Sequence, residues 1–162
     1  MHIRDITEAD LSAVHAINEA GAPGVHPESP EQLAAITLIS CIALVAEIDG
    51  VVAGFCQVLP PGAAYDSVNY AWFSARYRDF IYLDRIAVVE RHRGRGIGSR
   101  LYAEVERRTA ASWFTLEVNL RPRNDGSLRF HDRHGFVEVG QQETDYGALV
   151  SLMAKRLGAS AR

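Results

Sequence analysis

Lysine is almost missing from this chain. Lys155 is the single one, and arginine carries the rest of the positive side-chain charge. Cysteine is scarce too: Cys41 and Cys56 are the only two, each in an apolar, strand-like run. Thiols so placed read as reduced core residues, not as a disulfide framework or a metal pair. No apolar run reaches the roughly 18 residues that a membrane-crossing helix requires. Residues 1–10 are polar and already patterned, unlike a secretory leader. There is no repeat, low-complexity tract or dividing linker, so residues 1–162 are expected to form one domain. An excess of positive charge is also lacking. The formal net charge of −3 argues against a general nucleic-acid or anionic-membrane binder. The expectation is a soluble cytoplasmic protein without nucleic-acid or membrane partners. What is present is ordinary for a globular fold, with 48% hydrophobic and 23% charged residues. A chain of this length buries about 68–70% of its unfolded surface and needs no metal or disulfide staple.

Along the chain, residues 2–6 alternate polar and apolar, which predicts a first strand. Thr7-Glu8-Ala9-Asp10 fits the Thr-x-x-acid opening of a helix, and Leu11, Val14, Ile17 and Ala20 then recur at helical spacing. Glycine and proline in 21–27 stop that helix. Ser29-Pro30 opens a second, a cap followed by proline at the first helical position, running to about Ser40. Residues 41–48 and 51–59 predict two strands around Asp49-Gly50, a strong two-residue hairpin signal. Tyr65, Tyr70, Trp72, Phe73 and Tyr77 crowd into 63–78, part of which reads as helical near 69–78. Further strands are predicted over 80–89, 113–119, 136–142 and 148–157. Helices are predicted from Gly98 to about Ala111 and over 127–134, the latter stopped by Gly135. The order βααβββαβαββ lacks strict alternation, so a mixed α/β sheet is expected, not a doubly wound one.

The strongest local signal is the segment 86–99, read as strand, turn, glycine-rich loop and helix start. A helix N-terminus leaves about four backbone N–H groups unpaired, and its dipole adds roughly half a positive charge there. Glycine permits the tight turn and the close approach of a bulky anion. The segment is therefore suited to phosphate. Glycines at 94, 96 and 98 do not fit the Gly-x-Gly-x-x-Gly frame of dinucleotide folds. The absence of lysine here excludes a nucleotide-triphosphate loop.

Arg93-Gly94-Arg95-Gly96-Ile97-Gly98 matches the Arg/Gln-x-x-Gly-x-Gly/Ala signature of the GNAT superfamily of acyl-CoA-dependent N-acetyltransferases. Upstream, Ile86-Ala87-Val88 resembles the family's bulged strand. Downstream, Leu116-Glu117-Val118, Asn124 and the run from Phe130 to Phe136 (Phe-His-Asp-Arg-His-Gly-Phe) resemble its C-terminal half in order and spacing. Within the superfamily, the chain is similar to a bacterial subgroup sharing Pro60-Pro61-Gly62-Ala63-Ala64-Tyr65-Asp66. The resemblance implies an α/β (α+β) fold with a central mixed, mostly antiparallel sheet of about seven strands and helices on both faces.

It also implies acetyl-CoA as cofactor, without a metal, and acetyl transfer to a primary amine by direct attack. The pantetheine arm would pair with Ile86, Ala87 and Val88 where two strands splay, and the pyrophosphate would lie along Arg93, Gly94, Arg95, Gly96, Ile97, Gly98 and Ser99. Because backbone does this work, changes at Arg95 or Ile97 are expected to matter less than bulk at Gly96 or Gly98. Asn124 matches a position that contacts the cofactor arm; its alternative use is a cap for the following helix. A lysine-like amine, with pKa about 10.4, must lose a proton before attack. Glu117 stands where some members carry the base, and Asp84 is the second candidate; either could instead be a structural carboxylate. His131 replaces the family's usual tyrosine, so it is the candidate acid for the departing thiolate and a cofactor contact. The other readings are a structural His131 or lost catalysis. The spacing of His131 and His134 alone does not make a zinc site.

Loops usually carry specificity, so Tyr65, Asp66, Asn69, Tyr70, Trp72 and Tyr77 are candidate acceptor contacts, or else a satellite core or dimer contact. The acceptor is expected to be a small-molecule or peptide amine, and a homodimer stays open. The competing reading is a non-catalytic acyl-CoA-binding or sensing module on the same fold.

Overall fold

The computed structural model describes residues 1–21 and 24–158. In chain order it has β1 (His2–Asp5), α1 (Leu11–Ala20), α2 (Pro30–Ile39), β2 (Ile42–Ile48), β3 (Val51–Leu59), α3 (Val68–Ser74), β4 (Phe80–Val88), α4 (Ile97–Arg108), β5 (Trp113–Arg121), α5 (Asp125–Arg133), β6 (Val137–Glu143) and β7 (Leu149–Arg156). The strands form a seven-stranded sheet in the order β1-β2-β3-β4-β5-β7-β6. The pairs β1/β2, β2/β3, β5/β7 and β6/β7 are antiparallel, and β4/β5 is parallel. This is the mixed, mostly antiparallel sheet expected. The observed order, βααββαβαβαββ, contains as α3 the helix that the sequence reading located near 69–78 but left out of its element order. That helix, α3, forms because Ser67 caps it, its hydroxyl accepting from the Tyr70 N–H, and because Tyr70 and Phe73 turn inward together. Among the described residues no helix is long and apolar enough to cross a membrane.

The chain divides into two compact units. The first comprises residues 1–59 and 83–109. Its hairpin turns at Asp49 and Gly50, with φ of 51° and 78°, as a primed two-residue loop requires. Val45 and Phe55 face each other in register and pack with Ala87 against Val14, Ile17 and Leu33 of α1 and α2. On the opposite face, Gly54 lies under α4. A Cβ there would stand 3.1 Å from the Ala87 carbonyl oxygen and 3.2 Å from Ile97 Cγ2. This unit therefore carries helices on both faces of its strands. Arg4 clamps its first turn, bonding Asp10 at 2.7 Å and Glu47 at 2.9 Å. The Arg4 guanidinium holds the Asp10 carboxyl well below the usual carboxylate range. Both cysteines are free, but only Cys56 is buried; Cys41, at the mouth of β2, is exposed. The expectation of two core thiols is thus corrected for Cys41, which precedes the strand proper.

The second unit comprises 60–82 and 110–158 among the described residues. Here β4 contributes only Phe80, Ile81 and Tyr82, paired with Trp113, Phe114 and Thr115. The buried Thr115 hydroxyl adds a hydrogen bond to the Ile81 carbonyl at 2.9 Å. β7 runs between β5 and β6. Tyr70 and Phe73 of α3 pack edge-on or tilted against Tyr82, with centroids 5.4 and 5.9 Å away. Phe114, Phe136 and His131 form a second aromatic cluster.

Candidate active site

In the first unit β4 ends as the Val89 N–H donates to the Ala53 carbonyl at 2.8 Å. A 3-10 turn over Glu90–His92 follows. Gly94 and Gly96 then take φ of 75° and 78°, a left-handed conformation that glycine adopts without strain. A Cβ at either would meet nothing within 4 Å, so conformation rather than crowding demands glycine there. The N–H groups of residues 94–98 find no acceptor among the described residues, and the helix has no side-chain cap. A row of unsatisfied donors at the positive end of a helix dipole is a seat for phosphate. Ile97 is buried at the start of α4. Its side chain anchors the loop against Gly54, so it is structurally less replaceable than the sequence reading allows. Arg93 turns back onto the strand, Nε donating to the Val88 carbonyl at 3.3 Å. It borders a mostly apolar hollow of about 280 Å³ lined by Ile17, Ala20, Val88 and Val89.

Asp84 and Arg85 also belong to this unit. Arg85 is buried and bonds Asp84 at 2.8 Å, the Asn18 side chain at 3.1 Å, the His26 carbonyl at 3.2 Å and Glu28 at 3.4 Å. The Asp84 side chain is 5% exposed. Its carboxylate is one anchor of a buried cation that fastens the segment between α1 and α2. That ion pair gives Asp84 a structural role beside the second base role expected for it.

In the second unit Glu117 is half-buried on β5, and one carboxylate oxygen accepts the Tyr82 hydroxyl at 2.6 Å. Asn69 is buried; it donates to the Tyr146 phenol at 3.3 Å and accepts from Gln142 at 3.1 Å. Burial, reinforced by the Glu117 charge, pushes the Tyr146 phenol up from its ordinary value. Glu117, Tyr82, Asn69, Gln142 and Tyr146 thus make one polar group. Of these, sequence reasoning named Glu117 and Asn69. Tyr146 carried one local signal, its place in the turn at 145–147, whereas Tyr82 and Gln142 looked like ordinary strand residues.

His131 is 3% exposed, wedged between Phe130 and Phe136. Its Nδ1 lies 2.7 Å from the Ser127 carbonyl. A carbonyl only accepts, so Nδ1 carries the proton. Burial pulls the imidazole down to about 4. It is therefore neutral at pH 7, which disfavours the imidazolium acid expected there. Asn124 makes the capping contact, Oδ1 accepting from the Ser127 N–H at 3.2 Å. Among the acceptor candidates, Tyr70 is buried and structural. Its hydroxyl donates to the Pro60 carbonyl at 2.5 Å and accepts from the Ala63 N–H. Tyr65 packs edge-on against Tyr70, Asp66 is exposed, and Trp72 and Tyr77 line a different hollow of the same unit. Among the described residues no three His, Cys, Asp or Glu side chains gather as metal ligands.

The sequence model of the acetyltransferase (GNAT) family matches residues 11–136. The chain belongs to this family. Among solved GNAT-related structures, the ribosomal-protein-alanine N-acetyltransferase of Brucella melitensis is 27% identical, with a TM-score of 0.72 over 97% of this chain and 100% of that one. Ard1 of Thermoplasma volcanium, 20% identical, aligns at a TM-score of 0.79 over 97% of each chain. The yncA protein of Salmonella typhimurium, solved with its cofactor acetyl-CoA, is 20% identical and aligns at 0.74 over 100% of this chain and 96% of that one. The last two likenesses speak for the fold. No curated protein matches the chain significantly.

Proposed function

We propose that this GNAT protein transfers an acetyl group from acetyl-CoA to a primary amine. On this reading residues 1–162 act as one catalytic domain in the bacterial cytoplasm. The observation that carries it is the run of unpaired N–H groups from Gly94 to Gly98 at the head of α4. These donors, and the open space over Gly94 and Gly96, fit a diphosphate. The strand Ile86–Val88 would hold the pantetheine arm, and Arg93, Arg95 and Ser99 border the phosphates. Asn124 is a proposed cofactor contact because the family resemblance implies one at that position. When bound, acetyl-CoA supplies the activated thioester.

The chain's own residues supply the proton chemistry. An α-amine has an ordinary pKa of about 7.7–8.0 and a lysine amine about 10.4, so a base is needed near neutral pH. Glu117 accepts the amine proton, directly or through water, and the Tyr82 hydroxyl fixes the carboxylate's orientation. Asn69, Gln142 and Tyr146 hold the acceptor beside that carboxylate. The neutral His131 shapes the cavity wall, and protonation of the leaving sulfur falls to solvent. The 27% identical relative that acetylates a ribosomal-protein alanine favours a protein N-terminal amine over a small polyamine.

The test is to mix the purified protein with acetyl-CoA and a panel of Ala-initiated peptides, lysine peptides, spermidine and aminoglycoside. Thiol release and the mass of the product are then followed. Amine-dependent release, fastest with the peptides and placing one acetyl on the α-nitrogen, is expected. Coenzyme A binding by calorimetry without release from any amine would favour the sensing module, a reading that the missing tyrosine at 131 supports. No binding heat at millimolar coenzyme A would overturn both.

A further inference from the structure

The second unit holds a hollow of about 650 Å³ that the acetyl-transfer chemistry does not use. Its wall combines Trp72, Tyr77 and Trp113 with Arg76, Arg78 and Arg156. It shares no residue with the glycine loop or with the polar group around Glu117. We propose that this hollow is a second ligand site, for a planar aromatic molecule that carries an anionic group.

Three observations support the assignment. First, the three aromatic residues are half-buried and form an edge-to-face series. Tyr77 meets Trp113 at 5.3 Å, and Phe73 bridges Trp72 and Tyr77 at 5.1 and 5.9 Å. The wall is fitted rather than incidental, because β6 carries glycine where the indole of Trp72 presses in. A Cβ at Gly140 would stand 2.7 Å from Trp72 Cζ2. Half-exposed rings in a concave wall offer apolar surface to a planar ligand, beside the faces that arginines cover.

Second, the guanidinium of Arg76 lies 4.0 Å from the Trp72 ring centre and that of Arg156 lies 5.1 Å from that of Trp113. Arg76 also donates from one N–H to the Trp72 carbonyl at 3.0 Å. Stacking occupies the flat face of a guanidinium, and the remaining in-plane N–H groups can grip carboxylate or phosphate.

Third, these cations lack a counterion. Arg4, Arg85, Arg108, Arg121 and Arg123 each bond a carboxylate. Among the described residues no ion pair is made by Arg76, Arg78 or Arg156. Asp79, the one carboxylate of the wall, has an oxygen committed to the Ser112 N–H at 3.1 Å and hydroxyl at 2.6 Å. Three exposed arginines along one hollow offer a bound anion several cationic partners. The volume also suits a mononucleotide or an aryl carboxylate, since ligand pockets span about 300–1,000 Å³.

The chain reports on this site through its own optics, because Trp72 and Trp113 are its two tryptophans. Full-length protein is titrated with adenosine 5′-monophosphate and, separately, with benzoate, following indole emission. Adenosine and inorganic phosphate serve as half-ligands. The expected result is saturable quenching by the monophosphate or by benzoate, and the stronger of the two names the source of the anion. Each half-ligand should bind about tenfold or more weakly, a difference of about 1.4 kcal/mol. Arg78→Ala and, independently, Arg156→Gln should each weaken binding by about tenfold, with circular dichroism unchanged. The proposal is overturned if neither probe saturates, if adenosine alone binds as tightly as its monophosphate, or if both arginine variants bind like wild type. Loss of quenching under saturating coenzyme A would also overturn it, by placing the probe in the cofactor's seat. Failure of the amine panel leaves this result untouched, and failure here leaves amine acetylation standing.

Discussion

Asp84 on β4 and Glu117 on β5 are acids that each make a hydrogen bond, the Asp84 carboxylate nearly enclosed and Glu117 half-buried. Their surroundings differ in kind. Asp84 meets a guanidinium that is itself buried and shared with Asn18, His26 and Glu28. Glu117 accepts a hydrogen bond from the Tyr82 phenol, which orients it. A carboxylate bonded to a buried cation is tied into the packing of that cation. A carboxylate bonded to a hydroxyl is tied to a neutral partner at that oxygen. Partner chemistry, more than strand position, separates the structural acid from the candidate base.

The largest expected effect comes from Glu117→Gln. With general-base contributions of about 10²–10⁴-fold, kcat/KM for amine acetylation should fall by that order while calorimetric coenzyme A binding and thermal stability stay near wild type. Equal turnover would remove Glu117 from the chemistry. Next in size is Arg85→Ala, which leaves Asp84 and the Asn18 side chain without their buried cation. Breaking such a network costs about 3–5 kcal/mol, read as a lower urea midpoint. A smaller change tests the other half of the contrast. Asp84→Asn should lose roughly 1.5–3 kcal/mol of stability, the worth of a hydrogen bond to a charged group, and keep kcat/KM within about threefold. A large kinetic defect in a stable Asp84→Asn protein would collapse the distinction between the two acids.

The last prediction concerns pH. His131 titrates at about 4 when folded, below its ordinary 6.5. Between those values the unfolded chain binds the additional proton. This contribution is therefore fully present above pH 6.5 and is lost as pH falls toward 4, amounting to roughly 3 kcal/mol. His131→Asn should flatten that part of the stability–pH curve. The pH–rate profile should show no inflection near 6.5 that disappears in the same variant; such an inflection would restore His131 as the acid.

The loop at the head of α4 was legible because its constraint is local. Positive φ at Gly94 and Gly96 is a property of the backbone, and glycine marks it in any sequence. The hairpin at Asp49-Gly50 was readable for the same reason. Other features depend on partners far along the chain. The contact of Asn69 with Tyr146 and Gln142 joins segments that no periodicity links. Asp84 and Arg85 are adjacent, yet strand alternation points neighbours apart, so their ion pair was not foreseeable from spacing. The neutrality of His131 arises from its burial between Phe130 and Phe136, against the pull of the Ser127 carbonyl toward the charged form, a property of packing rather than of the His-for-Tyr exchange. The aromatic crowd between residues 65 and 77 was visible as composition. Only the fold divides it into a structural Tyr70, an Asn69 that bonds Tyr146 and Gln142, and a Trp72 and Tyr77 that line a separate hollow.

The unequal fates of the two cysteines have a practical side. Cys56 is fully enclosed and its thiol is pushed up to about 12, whereas Cys41 is exposed at the edge of its hairpin and bonds only the Val58 carbonyl through sulfur. A maleimide dye or a surface-immobilisation chemistry applied to the native chain would therefore attach at one defined point. Wild-type protein arrives with a ready handle for single-molecule work, with no cysteine to remove and none to add.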